Sequence, residues 1–180
     1  MCGVVSTHLA SHRGALLLHS LNFGKDPELL KRKHEFIVKN QTGVTVVREP
    51  GCVRCDCVAC ATRFLTTVHT HRKIAGQQFM IANCRDCNIY LFDHIGTISV
   101  DECENCRIFV GPCATSAFFR DCKDCSVIAA VQQLRTRDCK RINMLLFSST
   151  APIVESSSGM SFGRFSFNYT GMLGTPRVRC

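Results

Sequence analysis

Short apolar runs alternate with polar turns at a nearly constant interval from residue 76 to about residue 169. Each repeat contains one apolar run just after a turn and a second run near its end. The first runs read IYLF, IFV, VIAA and MLLF, and the second runs read TISV, AFF, QLRT and APIV. Two short strands and two turns in 17–19 residues match one coil of a parallel β-helix. The pattern therefore predicts an all-β chain with about five such coils.

One turn of each repeat has two equivalent positions, which are occupied by a pair of cysteines in the first three repeats. The first three pairs are spaced by 19 residues, and later repeats place other residues at the same positions: Cys84 and Cys87, Cys103 and Cys106, Cys122 and Cys125, Cys139 and Ile142, Ser156 and Gly159. A position that accepts Cys, Ile, Ser or Gly requires a small or apolar buried group, whereas a zinc site needs four ligands. We therefore expect a structural ladder of thiols inside the solenoid. Zinc binding by the Cys-x-x-Cys pairs and redox chemistry of stacked thiols are the alternatives.

The second strand of each repeat should have an inward and an outward face, because side chains alternate along a strand. Alignment on the following Cys or Ser gives two mostly apolar columns, Val100, Phe119, Thr136 and Ile153, and Ile98, Ala117, Leu134 and Ala151. The column between them contains Ser99, Phe118, Arg135 and Pro152 and should face outward. Arg135 is then expected on the outer surface, with Glu155 one coil away. A solvated arginine and a guanidinium placed to meet an anion are both compatible with this pattern.

The chain before the repeats differs in composition from the repeats themselves. We expect a disordered leader over residues 1–25, with a transit peptide as the alternative, and a short helix and strand over 26–51 that precede or pack on the β-helix. Asp26 should cap that helix, with Pro27 at its first position. A Cys/His-rich insertion follows over 52–73, then the β-helix domain over 74–170 and a tail over 171–180. The N-terminal extension is therefore expected to be mostly irregular.

The insertion contains Cys52, Cys55, Cys57 and Cys60, followed by His69 and His71. Thiolate and imidazole groups at such spacings can hold a thiophilic metal, so these cysteines are the candidate metal ligands of the chain. An insertion loop without metal explains the same composition. Our prediction assigns no metal.

Composition and charge limit the partners and the cellular location that we expect for the chain. The 180 residues carry a formal net charge of +8 and 14 cysteines. The basic residues are spread along the chain and often adjoin acids, so no nucleic acid partner is expected. The first 25 residues lack the continuous apolar core of a secretory signal, and no apolar run could span a bilayer. We therefore expect reduced thiols and a cytoplasmic protein.

Residues 75–169 resemble the tubulin-folding cofactor C domain family. The motifs that carry the resemblance are CNIYLFDH, QQLR and PIVESSS. The family resemblance implies a right-handed parallel β-helix. It also implies a GTPase-activating protein for Arf-like small GTPases in the GTP form, with tubulin as a further partner. The family's catalytic arginine corresponds to Arg135, and Gln132 and Glu155 are implied as supporting residues.

An arginine finger stabilises charge that develops on the transferred phosphoryl group, while the partner GTPase carries GTP and Mg²⁺. The chain has no Gly-x-x-x-x-Gly-Lys-Ser/Thr loop, so we expect no cofactor of its own. Two alternatives stay open: a non-catalytic module of the same fold that binds a GTPase or tubulin, and a zinc or redox module built on the cysteines.

Two departures from the family pattern bear on location and completeness. Because the chain begins Met1-Cys2-Gly3, myristoylation is not expected, and membrane association should be weak and peripheral at most. The resemblance extends the expected location to the cilium, the basal body or the cytoplasmic face of the plasma membrane. The Trp-rich stretch that follows the β-helix in the family is missing, so a truncated or divergent C-terminus is expected.

Overall fold

The computed structural model describes residues 26–48, 67–70 and 74–167. Helix α1 spans Pro27–Lys31 and a 3-10 helix spans Lys33–Phe36. The strands are β1 (Ile37–Lys39), β2 (Thr45–Arg48), β3 (Thr67–Thr70), β4 (Phe79–Ala82), β5 (Asn88–Leu91), β6 (Ile98–Asp101), β7 (Arg107–Arg120), β8 (Ser126–Arg137), β9 (Asn143–Ser148), β10 (Ile153–Glu155) and β11 (Ser161–Arg164).

All strand pairs in the described part of the chain are parallel, and each strand pairs with strands of neighbouring coils. Sheet 1 consists of β1, β4, β6, the ends of β7 and β8, and β10. Sheet 2 consists of β3, β2, β5, the beginnings of β7 and β8, β9 and β11. The predicted parallel β-helix of about five coils is confirmed.

Strands β7 and β8 are long because each bends from sheet 2 into sheet 1. Their register shifts between Val110 and Ser116, where the bend lies. Gly111 is required there, since a Cβ at this position would lie 2.7 Å from the carbonyl oxygen of Asp93 and 2.8 Å from that of Leu91. The close approach of neighbouring coils therefore excludes any side chain at residue 111.

The turns that contain the cysteines place two residues per coil in the left-handed backbone region, one directly before each member of the pair. These residues are Asn83 and Asp86, Glu102 and Asn105, Asp121 and Asp124, Asp138 and Arg141, and Ser156 and Gly159. Asn, Asp and Gly adopt this region most readily, which explains why acids and amides recur there. This turn geometry directs the side chain of the next residue, a member of the pair, into the core.

The interior consists of stacked columns of buried side chains, as predicted from the repeat. The described cysteines, Cys84, Cys87, Cys103, Cys106, Cys113, Cys122, Cys125 and Cys139, are all buried and free. Apolar residues of both sheets fill most of the remaining core, among them Ile89, Ile98, Phe119 and Leu134, all fully buried. The thiol ladder is therefore part of one continuous hydrophobic core.

The predicted alignment of the last coil was wrong by one residue. Ser156 and Gly159 have positive φ values of 46° and 65°, so they take the turn positions and not the cysteine positions. Ser157 instead follows Cys139 in the ladder, and its hydroxyl accepts a 3.1 Å hydrogen bond from the Cys139 backbone N–H. The same shift places Ile153, and not Pro152, opposite Arg135.

The N-terminal segment joins the solenoid. Asp26 caps α1 through hydrogen bonds that its carboxylate accepts from the Glu28 and Leu29 backbone N–H groups, and Pro27 lies in the first turn, as predicted. Strand β1 pairs with β4 and β2 pairs with β5, so both strands extend the parallel sheets of the β-helix. The leader 1–25, most of the insertion 52–73 and the tail 171–180 lie outside the described residues.

No helix among the described residues is long and apolar enough to cross a membrane.

Candidate functional site: an arginine on the outer face of sheet 1

Arg135 projects from the outer face of sheet 1. Its neighbours along β8, Leu134 and Thr136, are 0% and 1% exposed, whereas the Arg135 side chain is 46% exposed. The buried side chains on either side therefore anchor the Arg135 backbone to the core, and the guanidinium remains accessible to a partner. The outward orientation predicted from the repeat agrees with this position, and the catalytic role of Arg135 stays a prediction.

Glu155 is the carboxylate that meets Arg135. Arg135 Nη2 donates a 3.4 Å hydrogen bond to Glu155 Oε1, and the Glu155 side chain is 49% exposed. The two residues lie diagonally across neighbouring coils, since Ile153 is the register partner of Arg135 and Glu155 that of Arg137. One long hydrogen bond at an exposed position orients the guanidinium without locking it.

Gln132 lies exposed on β8, close to the bend. Its backbone carbonyl accepts hydrogen bonds from the Thr150 backbone N–H at 3.1 Å and from the Thr150 hydroxyl at 3.2 Å, which fix the backbone there. Among the described residues, Gln132 forms no hydrogen bond with Arg135 or Glu155. The structure thus joins two of the three predicted site residues and leaves the Gln132 amide facing outward.

A second ion pair on the same face was not anticipated from the sequence. Arg120 Nη2 donates a 2.9 Å hydrogen bond to Asp101 Oδ2, and Arg120 Nε bonds the other carboxylate oxygen. Burial raises the pKa of Asp101 against the opposing effect of Arg120, and the Asp101 carboxylate raises the pKa of Arg120. Asp101 and Arg120 occupy equivalent positions in successive repeats, 19 residues apart. This spacing is the sequence signal that could have predicted the ion pair.

The ladder thiols have structural partners. Each donates to a backbone carbonyl two residues earlier, as Cys122 does to Arg120 at 3.3 Å and Cys103 does to Asp101 at 3.4 Å. Cys113 lies apart from the pairs, and burial raises the pKa of its thiol to about 11. These contacts suit a small, weakly polar group whose side chain packs inward.

Among the described residues, no three His, Cys, Asp or Glu side chains converge to hold a metal ion. The candidate metal ligands Cys52, Cys55, Cys57 and Cys60 lie outside the described residues, as does His71, and only the backbone of His69 is described, in β3.

The outer face of sheet 2 carries an apolar groove of about 450 Å³. Tyr90, Phe109 and Leu145 are among its lining residues. At one side of the groove Phe167 packs on Phe109, with ring centroids 4.9 Å apart. The arginine and this groove thus lie on different sheets of the solenoid.

A family model described as tubulin binding cofactor C matches residues 76–175, which are 100 of the 180 residues. The chain belongs to the tubulin binding cofactor C family. The match includes the coils that carry Arg135, Gln132 and Glu155.

Curated cofactor C relatives fall into two groups by name. Protein XRP2 of Xenopus laevis is 59% identical over 97 residues, and Protein XRP2 of Homo sapiens is 51% identical over 96 residues. Tubulin-specific chaperone C of Bos taurus is 30% identical over 96 residues. The matched stretch covers 54%, 53% and 53% of this chain, and 28%, 27% and 28% of those relatives, so it spans under a third of each one.

Proposed function

We propose that this cofactor C chain stimulates GTP hydrolysis on an Arf-like small GTPase in its GTP form, with Arg135 as the arginine finger. The observation that carries the proposal is the placement of Arg135, half exposed on a strand whose neighbouring side chains are buried. A finger must project from a backbone that does not move, because displacement by about 1 Å can cost a large part of the rate.

The chemistry follows from the charge of the guanidinium. The GTPase supplies GTP, Mg²⁺ and the attacking water, and Arg135 adds positive charge beside the oxygens on which negative charge develops. In other GTPases a finger is worth about 10³–10⁵ in rate. That range corresponds to roughly 4–7 kcal/mol of transition-state stabilisation.

Glu155 and Gln132 assist in different ways. Glu155 holds the free guanidinium in an outward conformation through the 3.4 Å hydrogen bond, and an exposed contact of this kind is weak enough to yield to a phosphate oxygen. Gln132 offers an exposed amide on a backbone fixed by Thr150, suited to a hydrogen bond with the GTPase. The role of Glu155 therefore applies before the GTPase binds, whereas that of Gln132 applies in the complex.

Tubulin is the second candidate partner. A relative that is 30% identical carries the name tubulin-specific chaperone C, which favours a tubulin contact through the same fold. In this alternative the outer face of sheet 1 would bind a GTPase or tubulin without accelerating hydrolysis.

Single-turnover GTP hydrolysis by purified Arf-like GTPases, alone and with this protein, tests the proposal. The wild-type chain should accelerate hydrolysis by orders of magnitude, whereas Arg135→Ala should bind GTP-loaded GTPase and leave its rate unchanged. Arg137→Ala is the matched control, because Arg137 lies on the same strand and its side chain is 57% exposed. This control should retain most of the stimulation.

If wild type and Arg135→Ala both bind the GTPase and neither accelerates hydrolysis, the binding-only alternative replaces the catalytic proposal. The same variants tested for capture of purified tubulin would then identify the partner.

A further inference from the structure

The arginines around the proposed site bring little net charge to it. Each of the three on this part of sheet 1 lies within 4 Å of a carboxylate, in the pairs Arg120 with Asp101, Arg135 with Glu155, and Arg137 with Asp138. Paired charges of opposite sign cancel beyond a few ångströms, and salt screens what remains. Long-range attraction is therefore a weak source of affinity for a partner that docks here, and short-range contact has to supply it.

Apolar side chains lie on both sides of Arg135. Phe118 is its register neighbour in the preceding coil, and Ile153 is its neighbour in the following coil. Side chains of neighbouring parallel strands stack about 4.8 Å apart, so the three form one column on the outer face. Phe118 and Ile153 are both partly exposed, which leaves apolar area that a partner can bury.

The apolar strip beside the arginine is interrupted one coil beyond Phe118. One coil further from Phe118 the column continues with Ser99, a polar residue. The next position is Met80, which is only 2% exposed and offers almost no surface. The column ends at Ile37, which pairs with Met80 and is partly exposed, but Ser99 and Met80 separate it from Phe118. The apolar surface that adjoins Arg135 in this column therefore comes from Phe118 and Ile153.

We infer that Phe118 and Ile153 form an apolar clamp that docks a hydrophobic patch beside the bound nucleotide of the partner GTPase. This inference rests on the proposed function and assigns binding and catalysis to different residues. Phe118 and Ile153 supply binding that is equal in the ground and transition states, which lowers the half-saturating concentration. Arg135 supplies an interaction made only in the transition state, which raises the maximal rate.

Stimulated hydrolysis measured against the concentration of this protein separates the two roles. Phe118→Ala should raise the half-saturating concentration about tenfold or more, because a buried aromatic side chain at the centre of an interface commonly contributes at least that factor. The maximal rate should stay within about twofold of wild type, and Ile153→Ala should act in the same direction. Phe118→Leu, which restores apolar area, should recover most of the affinity.

Leu145→Ala is the matched control. Leu145 is also an outward apolar residue and is 42% exposed, but it lies on sheet 2. Leu145→Ala should leave the half-saturating concentration and the maximal rate unchanged. Thermal unfolding of every variant verifies that the solenoid is intact. An unchanged half-saturating concentration in folded Phe118→Ala, or an equal rise in Leu145→Ala, would overturn the clamp.

Direct binding to GTPase loaded with a non-hydrolysable GTP analogue distinguishes failure of the clamp from failure of the proposed function. If wild type binds without stimulating and Phe118→Ala binds about tenfold more weakly, catalysis is rejected and the clamp stands. If wild type stimulates and Phe118→Ala binds equally well, the clamp is rejected and the finger stands. If wild type neither binds nor stimulates, both are rejected.

Discussion

Asp101 and Arg120 meet across one coil of the solenoid through two hydrogen bonds between carboxylate and guanidinium. The Asp101 side chain is only 4% exposed, and the Arg120 side chain is 34% exposed. A carboxylate so far removed from water is stabilised in its charged form mainly by this partner, since burial alone raises its pKa. The pair therefore joins two neighbouring coils on the face of sheet 1 that carries the proposed site.

Arg120→Met should lower the free energy of unfolding by about 3 kcal/mol, because it leaves the Asp101 carboxylate buried without its partner. Chemical unfolding followed by circular dichroism measures this change. The double variant Asp101→Leu/Arg120→Met should recover most of the loss, since it removes the charge as well.

Arg141→Ala is the control for that experiment. Arg141 makes a similar pair of hydrogen bonds to Asp124, with side chains that are 58% and 37% exposed. Exposed pairs contribute about 0–1 kcal/mol, so the loss should be small. Equal losses in Arg120→Met and Arg141→Ala would show that burial of Asp101 is energetically unimportant.

Cys113 makes stability depend on pH in the alkaline range. Its thiol has a pKa of about 11 in the folded chain against 9.0 for an unperturbed thiol, because burial disfavours the thiolate. The stabilisation is fully present below pH 9 and is lost as the pH rises through about 11, because the unfolded chain releases its proton first. The total loss should be roughly 2–3 kcal/mol.

Unfolding of wild type and Cys113→Ala at a series of pH values isolates this contribution from that of the other thiols. The variant should be less stable at neutral pH because of the cavity it creates, and its stability should fall less steeply between pH 9 and 11. Parallel pH profiles would argue against ionisation of Cys113 as the cause.

The sequence predicted the coils well where each turn carried a distinctive residue. Cys84, Cys103 and Cys122 fixed the register of the first strands, and alternation then placed Arg135 outward. The last coil was misaligned because Ser156 and Ser157 are chemically alike, and only the backbone conformation separates the turn position from the core position. The repeat pattern also placed Glu155 one coil from Arg135, which is consistent with their contact. The pattern could not predict the bend at Gly111, because that bend depends on contacts between coils.

Glu102 occupies a backbone conformation that does not suit glutamate. Its φ is 53°, in the left-handed region that Asn adopts far more readily. Glu102→Asn should therefore raise the free energy of unfolding by up to about 1 kcal/mol, measured as a higher Tm. Glu104→Asn in the same turn should lower it slightly, since Glu104 accepts a 2.9 Å hydrogen bond from Lys123. A lower Tm for Glu102→Asn would mean that the glutamate side chain makes a contribution larger than the backbone strain.

Glu155 should matter for activity far more than for stability. Glu155→Ala removes one 3.4 Å hydrogen bond between half-exposed side chains, so the free energy of unfolding should change by less than about 0.5 kcal/mol. Under the proposed function, loss of that orientation should lower the maximal stimulated rate on the order of tenfold. Asp138→Asn is the control, because Asp138 pairs with the neighbouring Arg137 at 3.6 Å, Asn suits the left-handed backbone at this position, and the variant should leave the rate near wild type. If both variants retain full stimulation, Arg135 reaches its catalytic position without help from Glu155, and the partner GTPase must supply the group that orients the guanidinium.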